Sequence, residues 1–352
     1  MKKLFVLLLS LMIFISCGSD EKKNESGNDN TESQSSIEAP GEFEAASGID
    51  RNEAFALNYE IPQGQKMTYK LTSVATTNQK IIADSTITNE VSQTLNYIFN
   101  LESLGQADNN TRVKISIESV EISANYNGEV VSFDSKAIND EQTNLKFAEY
   151  SSLPNQSFDV VINNQGRIVE VNNITGIVDR YLEIQQAPAI KPEEREQINS
   201  QLKEQALKPL VQQLFRYLPE KETNIDSTWD LVYESPMGLY NLTNTATSTL
   251  RDVVQKDDNL VAKITTDLNV TYEGDGYIKQ GEAAYQFEEP KIDGNAITYF
   301  NIEKNIVIKS ELTTTTEMNV VVTAKNPSGV TETARRSDLS VNRNFIELLK
   351  VN

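Results

Sequence analysis

The chain has 352 residues, with 32 Lys and Arg against 51 Asp and Glu, and therefore a formal net charge of −19. It contains no histidine and a single cysteine, which excludes Ser-His and Cys-His nucleophile pairs and every histidine-ligated metal site. The acidic excess repels phosphate backbones, so no nucleic-acid partner is expected. The length and a hydrophobic content of 38% fit one large globular domain, or two small ones, behind any targeting segment.

The first 17 residues have the pattern of a lipoprotein signal peptide. Lys2 and Lys3 precede an apolar run over residues 4–15 that is too short to span a bilayer as a stable helix. The run ends in Phe14-Ile15-Ser16-Cys17, which resembles the lipobox of bacterial lipoproteins, with phenylalanine where leucine is usual. The resemblance implies a diacylglyceryl group on the Cys17 thiol, removal of the preceding peptide and acylation of the new amino terminus. An ordinary signal peptide with an incidental cysteine is the alternative.

Residues 18–53 are predicted to form a disordered acidic linker. They are rich in Ser, Asn, Asp, Glu and Gly and show no apolar period before Phe55, so they bury too little surface to offset the entropy of ordering. Ser19-Asp20-Glu21 resembles the acidic signal that sends Bacteroidota lipoproteins to the outer face of the outer membrane, although any solvated linker has a similar composition. We therefore expect a lipid-anchored outer-membrane protein, on either the periplasmic or the surface face.

Residues 54–352 are predicted to form a strand-rich domain, because their apolar side chains recur with a period of two. Between Ile306 and Val322 the even positions are mostly apolar and the odd ones carry the charges, which predicts one very long strand or two strands split by a bend near the threonines. The apolar parity changes between Ile117 and Val120, which predicts a β-bulge.

Short Gly-containing pairs predict tight turns between these strands. They are Asn127-Gly128, Gln165-Gly166 and Asp293-Gly294. Together with the period of two, they predict long antiparallel hairpins.

A helical hairpin is predicted at about 172–218. Its first helix is indicated by apolar residues at the spacing i, i+3, i+4, i+7 and i+8, namely Ile174, Ile177, Val178, Tyr181 and Leu182. A second helix is predicted to begin at Pro192 and to be kinked or split by Pro209. The resulting fold class is α+β, mostly β: long curved antiparallel sheet or sheets, with a helical hairpin inserted between two strand-rich halves and covering an inner sheet face.

Four short motifs lie along the body, in residues 57–59 with 64–70, in 131–135, in 156–168, and in 218–219 followed by 226–229. In this chain they read Leu-Asn-Tyr with Gly-Gln-Lys-Met-Thr-Tyr-Lys, Val-Ser-Phe-Asp-Ser, Gln-Ser-Phe to Asn-Gln-Gly-Arg-Ile, and Leu-Pro with Asp-Ser-Thr-Trp. The set resembles a family of Bacteroidota outer-envelope lipoproteins known as a domain of unknown function. Thr228 is inserted in the last motif, which lacks the glycine usual before it. The resemblance implies no catalytic residue.

Patterns that could carry chemistry have plainer structural interpretations. The acidic turns at 257–259, 273–276 and 293–295 lack the ligand spacing of an EF-hand and fit hairpin turns. Glu288 and Glu289 point to opposite faces if they lie on a strand, so they cannot act together on one bond. Trp229, with Tyr233 and Tyr240 nearby, could stack on a sugar or line a lipid groove, but a lone tryptophan in a strand is expected in the core. Ser85 in Asp84-Ser85-Thr86 is a candidate O-glycosylation acceptor.

Three functional classes remain open. The first is a noncatalytic envelope lipoprotein that binds an envelope protein or a ligand through its sheet. The second is a carrier of an apolar or acyl ligand held between helices and sheet, with Ile177, Tyr181, Leu214 and Phe215 lining an apolar groove. The third is an unrecognised carboxylate-dependent hydrolase. No catalytic residue, metal ligand or cofactor is assigned, and the membrane is expected as a partner through the lipid on Cys17.

Overall fold

The structure is a computed structural model that describes residues 44–45, 49–187, 189–256, 258–325 and 329–352. The predicted signal peptide with Cys17, and most of the predicted linker, lie outside the described residues. Residues Ala45–Asn352 form one compact unit. Within it, residues 49–53 contact the body, since Arg51 forms an ion pair of 2.5 Å with Asp226. No helix of the described residues is long and apolar enough to cross a membrane.

The molecule is mostly β, as the sequence predicts, with a helical segment between two groups of strands. The first group is β1 (Glu44–Ala45), β2 (Lys66–Ile82), β3 (Thr86–Ala107), β4 (Asn110–Tyr126), β5 (Glu129–Asp134), β6 (Ser157–Asn163) and β7 (Ile168–Asn172). The second group is β8 (Thr228–Met237), β9 (Tyr240–Lys256), β10 (Asn259–Glu273), β11 (Tyr277–Gln280), β12 (Ala283–Phe287), β13 (Lys291–Asn301), β14 (Ile306–Lys325) and β15 (Thr331–Val351). The helices are α1 (Glu141–Lys146), α2 (Ala148–Ser151), α3 (Thr175–Ile184), α4 (Pro192–Gln201) and α5 (Lys208–Gln212).

Strands β2 to β15 form a single antiparallel sheet that is not closed. The main path runs β8-β9-β10-β13-β14-β15-β2-β3-β4-β6-β7, with β5 beside β4, β12 beside β14, and β11 beside β12. The carboxyl-terminal strand β15 lies between β14 and β2 and so joins the two strand-rich halves. The backbone N–H and C=O groups of Lys66 and Asn352 complete this seam by bonding to each other at 3.2 and 2.9 Å.

The alternating apolar pattern from Ile306 to Val322 corresponds to the single strand β14. It runs without a break through Thr313–Thr316, and from Ser310 onward its even residues lie on the inner face, opposite Thr298 and Ala296. A register shift at Ile308 changes the parity before that point, so that Val307 pairs with Phe300 in the core. The bulge predicted near Ile117 is also present, because Phe99 pairs with Ile117 while Ile98 pairs with Ser119. Glu118 is the extra residue, and it moves the buried parity of β4 from odd to even positions.

Two of the three predicted turns are confirmed, and the third is wrong. Asn127-Gly128 connects β4 to β5 with positive φ at both residues, and Gly166 has φ +86° in the turn between β6 and β7. Asp293-Gly294 instead lies inside β13. A Cβ atom built on Gly294 would lie 3.0 Å from the Leu268 side chain, so this glycine permits close cross-strand packing rather than a change of direction.

The helical segment follows the predicted periodicity, with one local difference. Helix α3 buries Ile177, Val178 and Leu182, and α4 begins at Pro192. A π-helical turn over Leu202–Leu207 separates α4 from α5, immediately before Pro209. Proline has no N–H and crowds the carbonyl four residues earlier, and a widened turn relieves that contact.

The short helices α1 and α2 were not predicted, because neither is long enough to show a helical period. The start of α1 is nevertheless marked in the sequence. The Asp140 side chain accepts a hydrogen bond of 2.6 Å from the Thr143 N–H and so caps the first turn.

The core lies where the inner face meets the helices and the segment 55–61. In that segment Phe55, Leu57, Tyr59 and Ile61 alternate into the core. Tyr59 stands edge-to-face against both Phe215 and Phe300, with ring centroids 5.4 Å apart in each pair. The segment therefore packs between the chain that follows α5, at Phe215, and strand β13, at Phe300.

Candidate functional site: a groove beside the helical segment

A groove of about 490 Å³ opens between the inner face of the sheet and the chain that follows α5. Its volume lies within the range of small-molecule sites. The sheet supplies its floor. Its wall consists of Arg167, Ile168, Gln212, Phe215, Arg216 and Tyr217.

The floor consists of paired residues from five neighbouring strands. One cross-strand row contains Leu231, Ala246, Leu268, Gly294 and Thr314, one residue from each of β8, β9, β10, β13 and β14. At about 4.8 Å between strands, five strands span about 19 Å. The floor is thus mainly apolar and long in one direction.

The next row toward the core adds the floor residues Ser248, Thr266, Ala296 and Leu312. Ala246, Ala296 and Gly294 are small, which leaves volume above the sheet that larger side chains would fill. Thr298, Thr266 and Ser248 place hydroxyl groups among the apolar positions. The Ser248 and Thr266 oxygens lie 2.8 Å apart and satisfy each other.

The wall is held by hydrogen bonds around Arg216. Its backbone N–H donates to the Tyr59 hydroxyl at 2.7 Å, and its Nε–H donates to Ser310 Oγ at 2.8 Å. Ser310 Oγ lies 2.8 Å from Thr298 Oγ1, which continues the network into the floor. Gln212 Nε2 donates to the Gly166 carbonyl at 2.8 Å and ties the wall to the turn between β6 and β7.

Gly166 is required at this junction. It has φ +86°, and a Cβ built on it would lie 2.4 Å from the Arg216 carbonyl oxygen and 2.5 Å from Tyr59 Cε2. The absence of a side chain lets the hairpin approach the wall of the groove.

Burial dominates the electrostatics of the wall. It raises the pKa of Tyr59 well above its usual value, so this hydroxyl stays neutral. It also lowers the pKa of Arg216 to about 10, which leaves the guanidinium charged at neutral pH. The Nη2 atom of Arg216 is buried and has no hydrogen-bond partner among the described residues.

The four residues predicted to line an apolar groove separate in the structure. Phe215 lines the groove described above. Ile177 and Leu214 are each 1% exposed within the packed core, and Tyr181 packs against that core while remaining half-buried. Arg216 was missed, although it interrupts the apolar run Leu214, Phe215 and Leu218, and this interruption is the sequence signal that marks it.

The aromatic candidates also separate. Trp229 packs against the core and donates from Nε1 to the Tyr217 carbonyl at 3.1 Å. Tyr233 lines the groove with 45% of its surface exposed. Tyr240 instead donates from its hydroxyl to the Phe287 carbonyl at 2.9 Å.

The paired carboxylates have separate partners, and Ser85 is accessible. Glu289 accepts a hydrogen bond of 2.7 Å from the Tyr272 hydroxyl, and Glu288 lies 3.7 Å from Arg335. Ser85 is exposed in the turn between β2 and β3. Across the described ranges, no group of three or more His, Cys, Asp or Glu side chains is placed to hold a metal ion.

Two further pockets, of about 420 and 460 Å³, lie near α3. The first is lined mainly by polar side chains, several of which pair with one another, such as Arg195 with Asp179 and Arg180 with Glu183. The second is lined mainly by polar side chains such as Asn139, Asn144 and Ser151. The groove above the sheet is therefore the candidate site, because it offers more apolar surface than either of these two pockets.

Comparison with known protein families identifies the body of the chain. The model of a family of unknown function (DUF6263) matches residues 108–319, more than half of the chain. The chain belongs to this family. The part that matches DUF6263 contains every residue named above as lining the groove. A search of the curated proteins found no match.

Solved structures give distant similarities. The chain resembles lipovitellin, from a study of its lipid-protein interactions, with 11% identity and a TM-score of 0.42. The match covers 83% of this chain and 26% of lipovitellin, so the DUF6263 chain spans about a quarter of that protein. OccK5 (OpdH) of Pseudomonas aeruginosa matches with 7% identity and a TM-score of 0.19, over 80% of this chain and 98% of OccK5. TM-scores below 0.5 do not establish a shared fold.

Proposed function

We propose that the protein is a noncatalytic lipoprotein of the bacterial cell envelope that binds an apolar ligand in the groove. The observation that carries this proposal is the floor built from Leu231, Ala246, Leu268 and Leu312, which presents apolar surface beneath a wall. Apolar surface that is recessed and only partly covered gains free energy when a ligand removes it from water.

The ligand-binding proposal is tested by filling the floor. Full-length protein is purified from its own envelope and examined by native mass spectrometry and lipid extraction. Ala246→Phe places a ring over the floor, whereas Ala75→Phe makes the same change in β2, in the same cross-strand row but outside the groove. We expect an apolar molecule to co-purify with the unmodified protein and with Ala75→Phe, and to be lost from Ala246→Phe.

Two outcomes would contradict ligand binding. One is an unmodified protein that carries no apolar molecule, which would favour an envelope protein as the partner. The other is an Ala246→Phe variant that retains as much of the molecule as the Ala75→Phe variant does.

The envelope location is proposed from the sequence of residues 1–53. The lipobox-like Phe14-Ile15-Ser16-Cys17 would place two or three acyl chains at the amino terminus, and two chains suffice for stable anchoring. The linker would then hold the body away from the lipid surface, facing either the periplasm or the exterior of the outer membrane.

Anchoring is tested by growing cells with an alkyne-labelled palmitate and isolating the protein. We expect label on the native chain, and we expect Cys17→Ser to lose both the label and its place in the outer-membrane fraction. Recovery of native protein with a free Cys17 thiol would refute the anchor.

A further inference from the structure

Arg216 carries an unneutralised charge at the groove. Of the five N–H donors of a guanidinium, only its Nε–H has a hydrogen-bond partner among the described residues, Ser310 Oγ at 2.8 Å. The Nη2 atom is buried without a partner, and no carboxylate within the described ranges forms an ion pair with this side chain. Buried charges in proteins are normally paired and hydrogen-bonded, because an unpaired one is costly.

The position of Arg216 is fixed before any ligand binds. Its backbone N–H donates to the buried Tyr59 hydroxyl, and its Nε–H donates to Ser310 Oγ, which is itself hydrogen-bonded to Thr298 Oγ1. Arg216 lines the groove, and its guanidinium is therefore held there without further ordering of the side chain. A preorganised donor binds its acceptor at lower entropic cost.

The surroundings of Arg216 combine one cation with an apolar floor. Leu231, Leu268 and Leu312 extend across the strands from the wall. A ligand that satisfies both parts of the site has an acceptor at one end and a hydrocarbon chain at the other.

The charge count favours a single negative charge on that ligand. Arg167, the other arginine of the wall, is exposed and lies over the Tyr217 ring at 5.0 Å. A phosphate monoester carries about two charges at neutral pH, and one buried guanidinium would leave part of that charge without a partner. A carboxylate carries one charge and matches the guanidinium fork.

Resting on the proposed function, we propose that the groove binds an acyl chain with a free carboxylate head group, and that the Arg216 guanidinium pairs with this carboxylate. The hydrocarbon chain then lies along the floor formed by β8, β9, β10, β13 and β14.

The test compares probes that differ only at the head group. The full-length protein with its anchor is reconstituted in phosphatidylcholine vesicles and labelled with a photoreactive sixteen-carbon fatty acid, the matching alcohol or the matching alkyl phosphate. Peptide mapping then gives the half-saturating concentration for labelling of the floor strands. Arg216→Met is compared with the unmodified protein in identical vesicles, so that partition of each probe into the bilayer cancels.

Two further variants keep the comparison interpretable. Arg216→Lys retains the positive charge but cannot form the two parallel hydrogen bonds of a guanidinium. It also keeps the comparison possible if Arg216→Met fails to fold. Arg251→Met is the matched control, because Arg251 is exposed and donates to Thr265 away from the groove lining.

We expect Arg216→Met to raise the half-saturating concentration of the acid at least tenfold and to leave that of the alcohol unchanged. Arg216→Lys should give an intermediate value for the acid, and Arg251→Met should change neither probe. Equal changes for acid and alcohol in Arg216→Met would overturn the head-group assignment while leaving apolar binding intact. Tighter, Arg216-dependent labelling by the alkyl phosphate would overturn the choice of carboxylate. Failure of every probe to label the floor would overturn the proposed function itself.

Discussion

Replacing Glu149 by glutamine should remove a pH-dependent loss of stability. Glu149 lies in α2, and its Oε1 atom is buried without a hydrogen-bond partner among the described residues. Burial raises the pKa of this carboxyl from 4.5 to about 7, because its ionised form is poorly solvated there. Well below pH 4.5 the Glu149 carboxyl is protonated in both the folded and the unfolded chain, so this group does not lower the free energy of unfolding there.

The sign and size of the effect follow from proton linkage. Between pH 4.5 and about 7 the folded state binds more protons at Glu149 than the unfolded state, so the free energy of unfolding falls as the pH rises. A rise of the pKa from 4.5 to about 7 corresponds to about 3 kcal/mol. Because the side chain keeps partial contact with solvent, we expect about 1–2 kcal/mol.

Urea unfolding followed by circular dichroism at pH 5, 6, 7 and 8 measures this effect. Glu149→Gln should be more stable than the unmodified protein by about 1–2 kcal/mol at pH 8, with a smaller difference at pH 5. Glu170→Gln, at an exposed position on β7, is the control and should leave the pH dependence unchanged. Equal pH slopes for the unmodified protein and Glu149→Gln would refute the reasoning.

Two packing predictions follow from the residues beside the groove. Gly166→Ala should destabilise by more than about 2 kcal/mol, since its Cβ would meet the Arg216 carbonyl and Tyr59 in addition to the strain of positive φ. Gly64→Ala, also at positive φ but with no atom within 4 Å of the added Cβ, should cost only about 1 kcal/mol, and equal losses in urea would contradict the steric argument. Phe300→Ala should cost about 3–5 kcal/mol, because the ring is fully buried and packs on Tyr59. A shift in thermal unfolding that corresponds to less than about 1 kcal/mol would show that the core refills the cavity.

The sequence predicts the elements of this fold well because their periods are local. The even residues of β14 and the parity change near Ile117 specify both a long strand and a bulge. The helical spacing from Ile174 to Leu182 specifies the buried face of α3 in the same way. The prediction of a turn at Asp293-Gly294 was wrong because this glycine is needed for close packing against Leu268 on the neighbouring strand. The local sequence pattern does not contain that contact.

The groove could not be predicted from the sequence for the same reason. Its floor depends on the register of five strands, which brings Leu231 of β8 and Thr314 of β14 into one row although they are far apart in the sequence. Helical periodicity favoured Ile177 and Leu214 as lining residues, and both are used to pack the core instead. Arg216 shows its importance only when its missing partners can be counted in three dimensions.

Strands β8 and β7, at opposite ends of the main path of the sheet, carry features that affect pairing with a second copy of the protein. Along β8, Asp230, Glu234 and Pro236 are exposed, and charge or proline on an outer strand discourages a foreign strand from adding to it. Along β7, the Ile168 N–H is occupied by Gln212 Oε1 at 2.9 Å. These features disfavour pairing of either edge with a strand of another molecule, and we expect copies of the protein to remain separate molecules.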